Sequence, residues 1–334
     1  TFCSPGNFNN EIGVPLSLLD IQEENNYGVL EFGARKPGDI TLLNNIALPN
    51  YVACLNVGSS HYGVFGGQEQ IYRSKLEIIS SAPKSSLCIV NHDDQVLYER
   101  AQKLTKEIYT FGVNKKAHVH LKNTTWNQDN TMTLVMNVFG KEQTIKLSHA
   151  HQKYPYNALA VTCLAHLANI DHKHLLKGLL NFTPPPGRFH LHQTTDFTVI
   201  DDSYNASIES VESGFISLKK SFPLKKKIVI LGDLLELGTK TIQVHTKIGK
   251  MCGELIKPSL LITVGKHAKI IADTAAKSGL QQKNILHFPN VDSLLKENLI
   301  FSRYGSLIYT KGSHAIGLEK MVRVLLDASP TKVS

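Results

Sequence analysis

Tyr51-Val52-Ala53-Cys54-Leu55-Asn56-Val57 is a short apolar run, and Ser86-Leu87-Cys88-Ile89-Val90 is another. Residues 68–81 between them read as a helix, and residues 95–106 read as the next one. Strand, helix, strand in that order is a crossover unit, which builds parallel sheets covered by helices. Working outward, Tyr27–Phe32 reads as a preceding strand. The alternation breaks at residues 115–148. There His118-Val119-His120-Leu121 and residues 131–138 alternate in polarity, which predicts antiparallel hairpins at the sheet edge. A long helix is expected over 156–169. Pro184-Pro185-Pro186-Gly187-Arg188 then marks a boundary, because three successive prolines fit neither a helix interior nor a central strand. Beyond it, strands at 197–200, 227–231, 260–264 and 306–309 alternate with helices at 207–220, 241–255, 268–277, 291–298 and 317–326. The expected class is α/β. A doubly wound sheet occupies residues 1–187, and a smaller Rossmann-like domain occupies residues 188–334.

The chain has 334 residues, 42% hydrophobic and 19% charged, in the range of ordinary globular domains. A net charge of +8 admits nucleic-acid binding or attraction of anionic small molecules. The only dense basic run, Lys225-Lys226-Lys227, enters an apolar strand and reads as a solvated strand start, so no nucleic-acid partner is expected. The five cysteines are scattered, with no C-x-x-C, which argues against a disulfide framework or a zinc site and fits the cytoplasm. No apolar window approaches the ~18 residues of a transmembrane helix, so no membrane insertion is expected.

Two residues stand where open α/β sheets bind ligands, beyond the carboxyl ends of strands. Glu31 follows Gly28-Val29-Leu30, and His61 follows Tyr51–Val57 through Gly58-Ser59-Ser60. Either alone would read as solvated; their equivalent positions in consecutive units strengthen both. Lys75, within Arg73-Ser74-Lys75-Leu76-Glu77-Ile78, reads on its own as a surface lysine. The neighbouring histidines (His118 and His120, His149 and His151, His172 and His174, His190 and His192) lack zinc-like spacing and read as surface residues.

Eight blocks in order carry a resemblance: Gly6–Pro15, Glu31-Phe32-Gly33-Ala34, Pro37-Gly38-Asp39-Ile40, Asn91-His92-Asp93-Asp94, Pro186-Gly187-Arg188, Asp201-Asp202-Ser203-Tyr204-Asn205-Ala206, Leu231–Gly238 and Lys311-Gly312-Ser313. Together they resemble the Mur ligases, the ATP-dependent enzymes that lengthen the peptidoglycan peptide. Within that family they point to the branch that adds D-Ala-D-Ala to UDP-MurNAc-tripeptide. The resemblance implies a central ATPase-type domain, incomplete at its N-terminus, and a C-terminal domain. It implies ATP and Mg²⁺ as cofactors and a monomer. It also implies that Lys75, carbamylated by CO₂, joins Glu31 and His61 as a metal ligand.

The same resemblance gives Asn157 to adenine, and Arg188 and Asp202 to the phosphates and ribose. Arg188 follows a rigid Pro-Gly turn and can present a planar fork to phosphate. Asp201, Asp202 and Ser203 also suit a cap for the following helix. Asn9 and Asn10 match cleft positions, while a turn before a helix remains open for Asn9. Asn205, Lys311 and Ser313 fall to substrate, the last two between a strand and a helix N-terminus, a place suited to an anion. Arg35, Gly63 and Lys153-Tyr154 depart from the family's usual residues. No G-x-x-x-x-G-K-[ST] loop occurs. The expectation is therefore a fragment lacking the phosphate loop and the N-terminal domain, inactive by itself. Another amino-acid-adding Mur ligase is the alternative, as is a naturally truncated module that binds nucleotide or partners without catalysis.

Overall fold

The computed structural model describes residues 1–58, 62–105, 107–297, 301 and 307–328. Two units divide the chain. One holds residues 1–125, 133–146 and 154–179; the other holds 126–132, 147–153 and 180–334.

The first unit opens with β1 (Phe2–Cys3), α1 (Gly13–Leu19), β2 (Gly28–Val29) and α2 (Asp39–Ala47). β1 and β2 form a two-stranded parallel pair. The strand expected over 27–32 is thus only two residues long, because β1 offers hydrogen bonds over only that length. Six further strands run in the same order in space as in sequence: β3 (Tyr51–Cys54), β4 (Leu87–Asn91), β5 (Ile108–Gly112), β6 (Val119–Trp126), β7 (Met132–Val138) and β8 (Lys141–Leu147). β3 to β6 pair in parallel, so the insertion begins with a parallel strand rather than a hairpin. The hairpin comes next. β7 and β8 are joined by Phe139-Gly140 alone, with φ of 48° and 88°, a two-residue turn whose twist suits paired strands.

Helices α3 (Tyr62–Phe65), α4 (Gln68–Ser80), α5 (Gln95–Ala101), α6 (Tyr154–Leu167) and α7 (His172–Leu180) complete the unit. Leu76 and Ile79 of α4 and Leu97 and Ala101 of α5 pack on Val52, Cys54, Cys88 and Val90 of β3 and β4. α2 owes its start to α4. The Glu77 carboxylate accepts the Gly38 and Thr41 amides at 2.8 and 3.1 Å, supplying the cap that Gly38 lacks.

The second unit is a doubly wound domain, and it is no smaller than the first. It comprises β9 (His190–Gln193), β10 (Thr198–Asp202), α8 (Ile208–Ser221), β11 (Lys227–Gly232), α9 (Thr241–Met251), β12 (Leu260–Val264), α10 (Ala268–Lys277), β13 (Ile285–Phe288), α11 (Val291–Leu295), β14 (Leu307–Lys311) and α12 (Glu319–Ala328). The expected helix over 241–255 ends as α9 at Met251 and continues as a π-helical turn, Cys252–Ile256. Strand order is β13-β12-β11-β14-β10-β9, parallel except for the antiparallel edge strand β9. β10, β11, β12 and β14 are buried along their whole length, as parallel strands covered on both faces must be. Val211, Phe215 and Leu218 of α8 and Ile271 and Ala275 of α10 fill one face. Leu294, Met321, Val322 and Leu325 fill the other. Lys227, expected to be solvated, is buried; its Nζ turns back to the Lys225 carbonyl at 2.9 Å.

This order decides where the second unit's polar residues emerge. β14 returns between β10 and β11, so Lys311 stands in register with Asp202 on one side and Leu231 on the other. That is the switch point of the sheet, at the strands' carboxyl ends.

Candidate functional site

In the first unit, Asn9 and Glu31 meet. Asn9 Nδ2 donates to Glu31 Oε1 at 3.1 Å, and the Asn9 carbonyl accepts the Gly33 amide at 2.7 Å. A Cβ on Gly33 would lie 2.9 Å from Asn9 Oδ1, so a larger residue would push that amide away from Glu31. Asn10 has a different task. Its Oδ1 accepts the Ile12 and Gly13 amides at 3.1 and 2.8 Å, closing the turn into α1. Glu31 is exposed, two residues past β2, and its second carboxylate oxygen has no partner among the described residues.

Lys75 is half-buried midway along α4. It lies close enough to Cys54, the last residue of β3, for its charge to act on the thiol. Burial pushes that thiol up to about 12, with Lys75 pulling it down and Asp94 pushing it further up. Asp94 gathers the surrounding elements. It caps α5 through the Leu97 amide (3.1 Å), accepts the Tyr72 hydroxyl of α4 (3.0 Å), and accepts the Val57 amide beyond β3 (3.1 Å). His61 lies outside the described residues.

Asn157 is exposed on the first turn of α6. The Tyr156 hydroxyl beside it donates to Asp93 Oδ2 at 3.0 Å, and Asp93 also accepts the Val113 and Asn114 amides at 2.7 and 3.1 Å. The start of α6 is thereby tied to the ends of β4 and β5. Burial, then the Asp93 charge, lifts the Tyr156 phenol to about 12, so it remains a donor.

The second unit builds a tighter group around Arg188. The Gly187 amide donates to Asp201 Oδ2 at 3.0 Å, the Phe189 amide to Asp202 Oδ1 at 3.2 Å, and the Tyr204 amide to the Gly187 carbonyl at 3.1 Å. Gly187 has φ of 73°, and a Cβ there would lie 2.8 Å from Tyr204 Cβ. Phe189 takes φ of 57°, an uncommon conformation for a bulky residue. Its buried ring, 4.6 Å from His151 and 6.1 Å from Tyr309, holds it there. The Arg188 guanidinium lies 4.1 Å over the Tyr204 ring and has no carboxylate partner among the described residues.

Beneath this turn Lys311 Nζ meets Asp202 Oδ2 at 2.8 Å, with side chains 2% and 11% exposed. The Tyr309 hydroxyl donates to the same oxygen at 2.9 Å, and Lys311 also donates to the Asn205 carbonyl at 3.0 Å. Burial pushes the Asp202 carboxyl upward, against Lys311, Tyr309 and the Phe189 amide, which favour its charged form. Asp201 accepts the Ser203 hydroxyl at 2.6 Å. Neither aspartate caps α8; Ser207 and Ser210 do that reciprocally. Asn205 is exposed, its Oδ1 turned to the Ala206 amide at 2.8 Å. Ser313 is buried and accepts the Leu235 amide at 2.9 Å, holding the Leu231–Gly238 block, whose Asp233 accepts the Ala268 amide at the start of α10 (2.6 Å).

Two models of one family match the chain in succession: the Mur ligase middle domain over residues 1–165, and the Mur ligase, glutamate ligase domain over residues 187–314. The chain belongs to the Mur ligase family. It is 29% identical over 327 residues to the UDP-N-acetylmuramoyl-tripeptide--D-alanyl-D-alanine ligase of Bacillus subtilis (strain 168), covering 97% of this chain and 69% of that protein. Among solved structures it is similar to MurF from Acinetobacter baumannii, with TM-score 0.83 and 26% identity over 98% of this chain and 70% of that one. It is also similar to the MurF ligase from Thermotoga maritima in complex with ADP, with TM-score 0.80 and 26% identity over 98% and 73%.

Within this Mur ligase, Asn9 joins Glu31, and Arg188, Asp202, Asn205 and Lys311 share one cluster, while Asn157 stands in the other unit. Sequence reasoning missed Tyr309 and Glu77, whose polar tips act on partners far along the chain, and the Tyr204 ring, which lies under Arg188. The histidine reading needs correction. His151 is buried under Phe189, and burial, with the charges of Lys311 and Lys153 adding, pushes it down to about 3. His149, His190 and His192 are half-buried, with His190 Nδ1 2.6 Å from the Pro184 carbonyl. A cavity of about 230 Å³ bounded by Gln128, Gln193, Phe222 and Lys225 is lined by none of the candidate site residues. Among the described residues no helix is long and apolar enough to cross a membrane.

Proposed function

We propose that the intact protein is an ATP-dependent ligase of peptidoglycan precursor synthesis that joins D-Ala-D-Ala to UDP-MurNAc-tripeptide, as a cytoplasmic monomer with its domain boundary at residues 187–188. The names of the relatives support the reaction, and the ADP bound to one of them supports the nucleotide. The observation that carries the reading is the Arg188 turn. A guanidinium whose N–H edges are open, on a backbone pinned by two buried aspartates, suits a polyphosphate.

ATP with Mg²⁺ supplies the phosphoryl group that converts a carboxylate into an acyl phosphate, which the dipeptide amine then displaces. The chain's own residues bind, orient and neutralise; none need act as a nucleophile. Glu31, His61 and Lys75 as its carbamate would hold the Mg²⁺. Oxygen donors suit that ion, and Glu31 keeps one carboxylate oxygen unpartnered among the described residues. Asn157 would take adenine, and Arg188 and Asp202 the phosphates and ribose. Asn9, Asn10, Asn205, Lys311 and Ser313 would line the substrate cleft. Since Asp202 and Lys311 are paired, part of their work is to hold the Arg188 turn.

The test is phosphate release by the intact protein, which should require both UDP-MurNAc-tripeptide and D-Ala-D-Ala. Lys75→Ala should abolish it, with partial return on adding short carboxylic acids. Turnover with diaminopimelate or lysine in place of the dipeptide would move the protein to another branch. Full activity of Lys75→Ala would remove the carbamate.

A further inference from the structure

We propose that Tyr204 is the positioning residue for Arg188: its ring is a shelf that fixes the plane of the guanidinium before an anion arrives. This rests on the reading of Arg188 as the phosphate-facing group. Arg188 is exposed, and an unpaired arginine side chain would sample many rotamers, whose loss on binding weakens affinity. Here the guanidinium carbon lies 4.1 Å from the centre of the Tyr204 ring. A contact with the face of the ring uses none of the guanidinium's N–H donors, so the shelf restricts the fork without consuming them.

The shelf is itself fixed. The Tyr204 amide donates to the Gly187 carbonyl, and Tyr204 Cβ occupies the space that a side chain at 187 would need. On β14's side, the His314 ring lies 5.5 Å from the Tyr204 ring. Lys311 holds the next carbonyl, that of Asn205. The Tyr204 hydroxyl makes no hydrogen bond among the described residues. The ring, not the hydroxyl, therefore carries the proposed role.

The experiment is MgATP binding to the full-length protein by titration calorimetry, with KM and kcat measured alongside. Tyr204→Leu should weaken MgATP binding and raise KM two- to five-fold, the range of an exposed cation–π contact, with kcat unchanged. Tyr204→Phe should return the wild-type value. In an Arg188→Ala background, Tyr204→Leu should have no further effect. Tyr204→Met serves as the second variant should the leucine form fail to fold, with the same expectation. The proposal is overturned if Tyr204→Leu or Tyr204→Met binds MgATP normally while Arg188→Ala does not. An effect additive with Arg188→Ala overturns it equally. If Arg188→Ala itself leaves MgATP binding unchanged, the phosphate-facing reading of Arg188 fails instead.

Discussion

The Arg188 turn and the Asn9–Glu31 contact are organised in opposite ways. Around Arg188, the neighbouring backbone groups are claimed by Asp201, Asp202 and Tyr204, and Asp202 rests on Lys311 and Tyr309. All of these supports except Tyr204 are buried. Glu31, by contrast, is exposed and held by one side-chain bond of 3.1 Å. A satisfied polar network in a low-dielectric interior is rigid, and so presents its exposed member in one pose. A lone surface hydrogen bond contributes too little to do so. Preorganisation in this chain is therefore concentrated at the turn that offers a cation, and is thin at the carboxylate that would share a metal.

The sharpest way to break that contrast is Lys311→Met. It would leave the Asp202 carboxylate buried without its cation and release the Asn205 carbonyl. Removing one partner of a buried pair costs about 3–5 kcal/mol. Urea denaturation should show a loss of that size, and the double variant Asp202→Asn/Lys311→Met should recover much of it. A double variant as unstable as the sum of the singles would mean that the pair is not coupled. Glu31→Gln should stay within about 0.5 kcal/mol of the wild type, as exposed substitutions do.

This contrast was only half legible in the sequence. The continuous apolar runs of β11, β12 and β14 stand out because strands covered on both faces leave no room for polar residues. The helix at 268–277 was equally plain. Helix α2 was not, because Asp39–Ala47 is rich in Asn and β-branched residues and starts on a carboxylate from Glu77, far along the chain. β9 hid for a similar reason: two of its four residues are histidines, and its pairing with β10 makes the strand. At the site, the motifs singled out Arg188 and Asp202 in the sequence. What they could not reveal was the register of β10 against β14, which turns Asp202 and Lys311 toward each other. Asp202's partners lie 107 and 109 residues away.

Gly187→Ala attacks the turn rather than its foundation. An L-residue at φ of 73° costs roughly 1–2 kcal/mol, and the new Cβ would press on Tyr204 Cβ, which cannot swing aside. A loss of about 2 kcal/mol in urea denaturation is expected, with weaker MgATP binding beyond the change for Tyr204→Leu. An unchanged protein would show that the turn has freedom the hydrogen bonds deny it.

The pH dependence of stability tests the same foundation. His151 is held down at about 3 in the folded state, against an unfolded value near 6.5. Between those values the unfolded chain binds the extra proton, so this contribution is complete above pH 6.5 and is lost as pH falls toward 3. The slope approaches about 1.4 kcal/mol per pH unit well below 6.5. His149, His192 and His245 are also pushed down by burial and add to it. Comparing wild type with His151→Gln isolates the one histidine beneath Phe189: the variant should lose less stability between pH 7 and pH 5. Parallel curves would mean that the ring under the Arg188 turn is reached by solvent.

Asn9→Ala should also have a small effect on stability, and that is what makes it informative. It removes one exposed side-chain bond, worth about 0.5–1 kcal/mol at most, and leaves the Gly33 amide on the Asn9 carbonyl. If Glu31 shares a Mg²⁺, losing the Asn9 tether should raise the Mg²⁺ concentration needed for half-maximal activity while the melting temperature barely moves. Gly33→Ala should do the same from the other side, since its Cβ would displace the Asn9 amide without deleting it. Matching shifts in Mg²⁺ requirement from both variants would tie the Asn9–Glu31 contact to the metal. Activity that falls only in step with stability would leave this region as a simple turn, and would sharpen its difference from the Arg188 cluster.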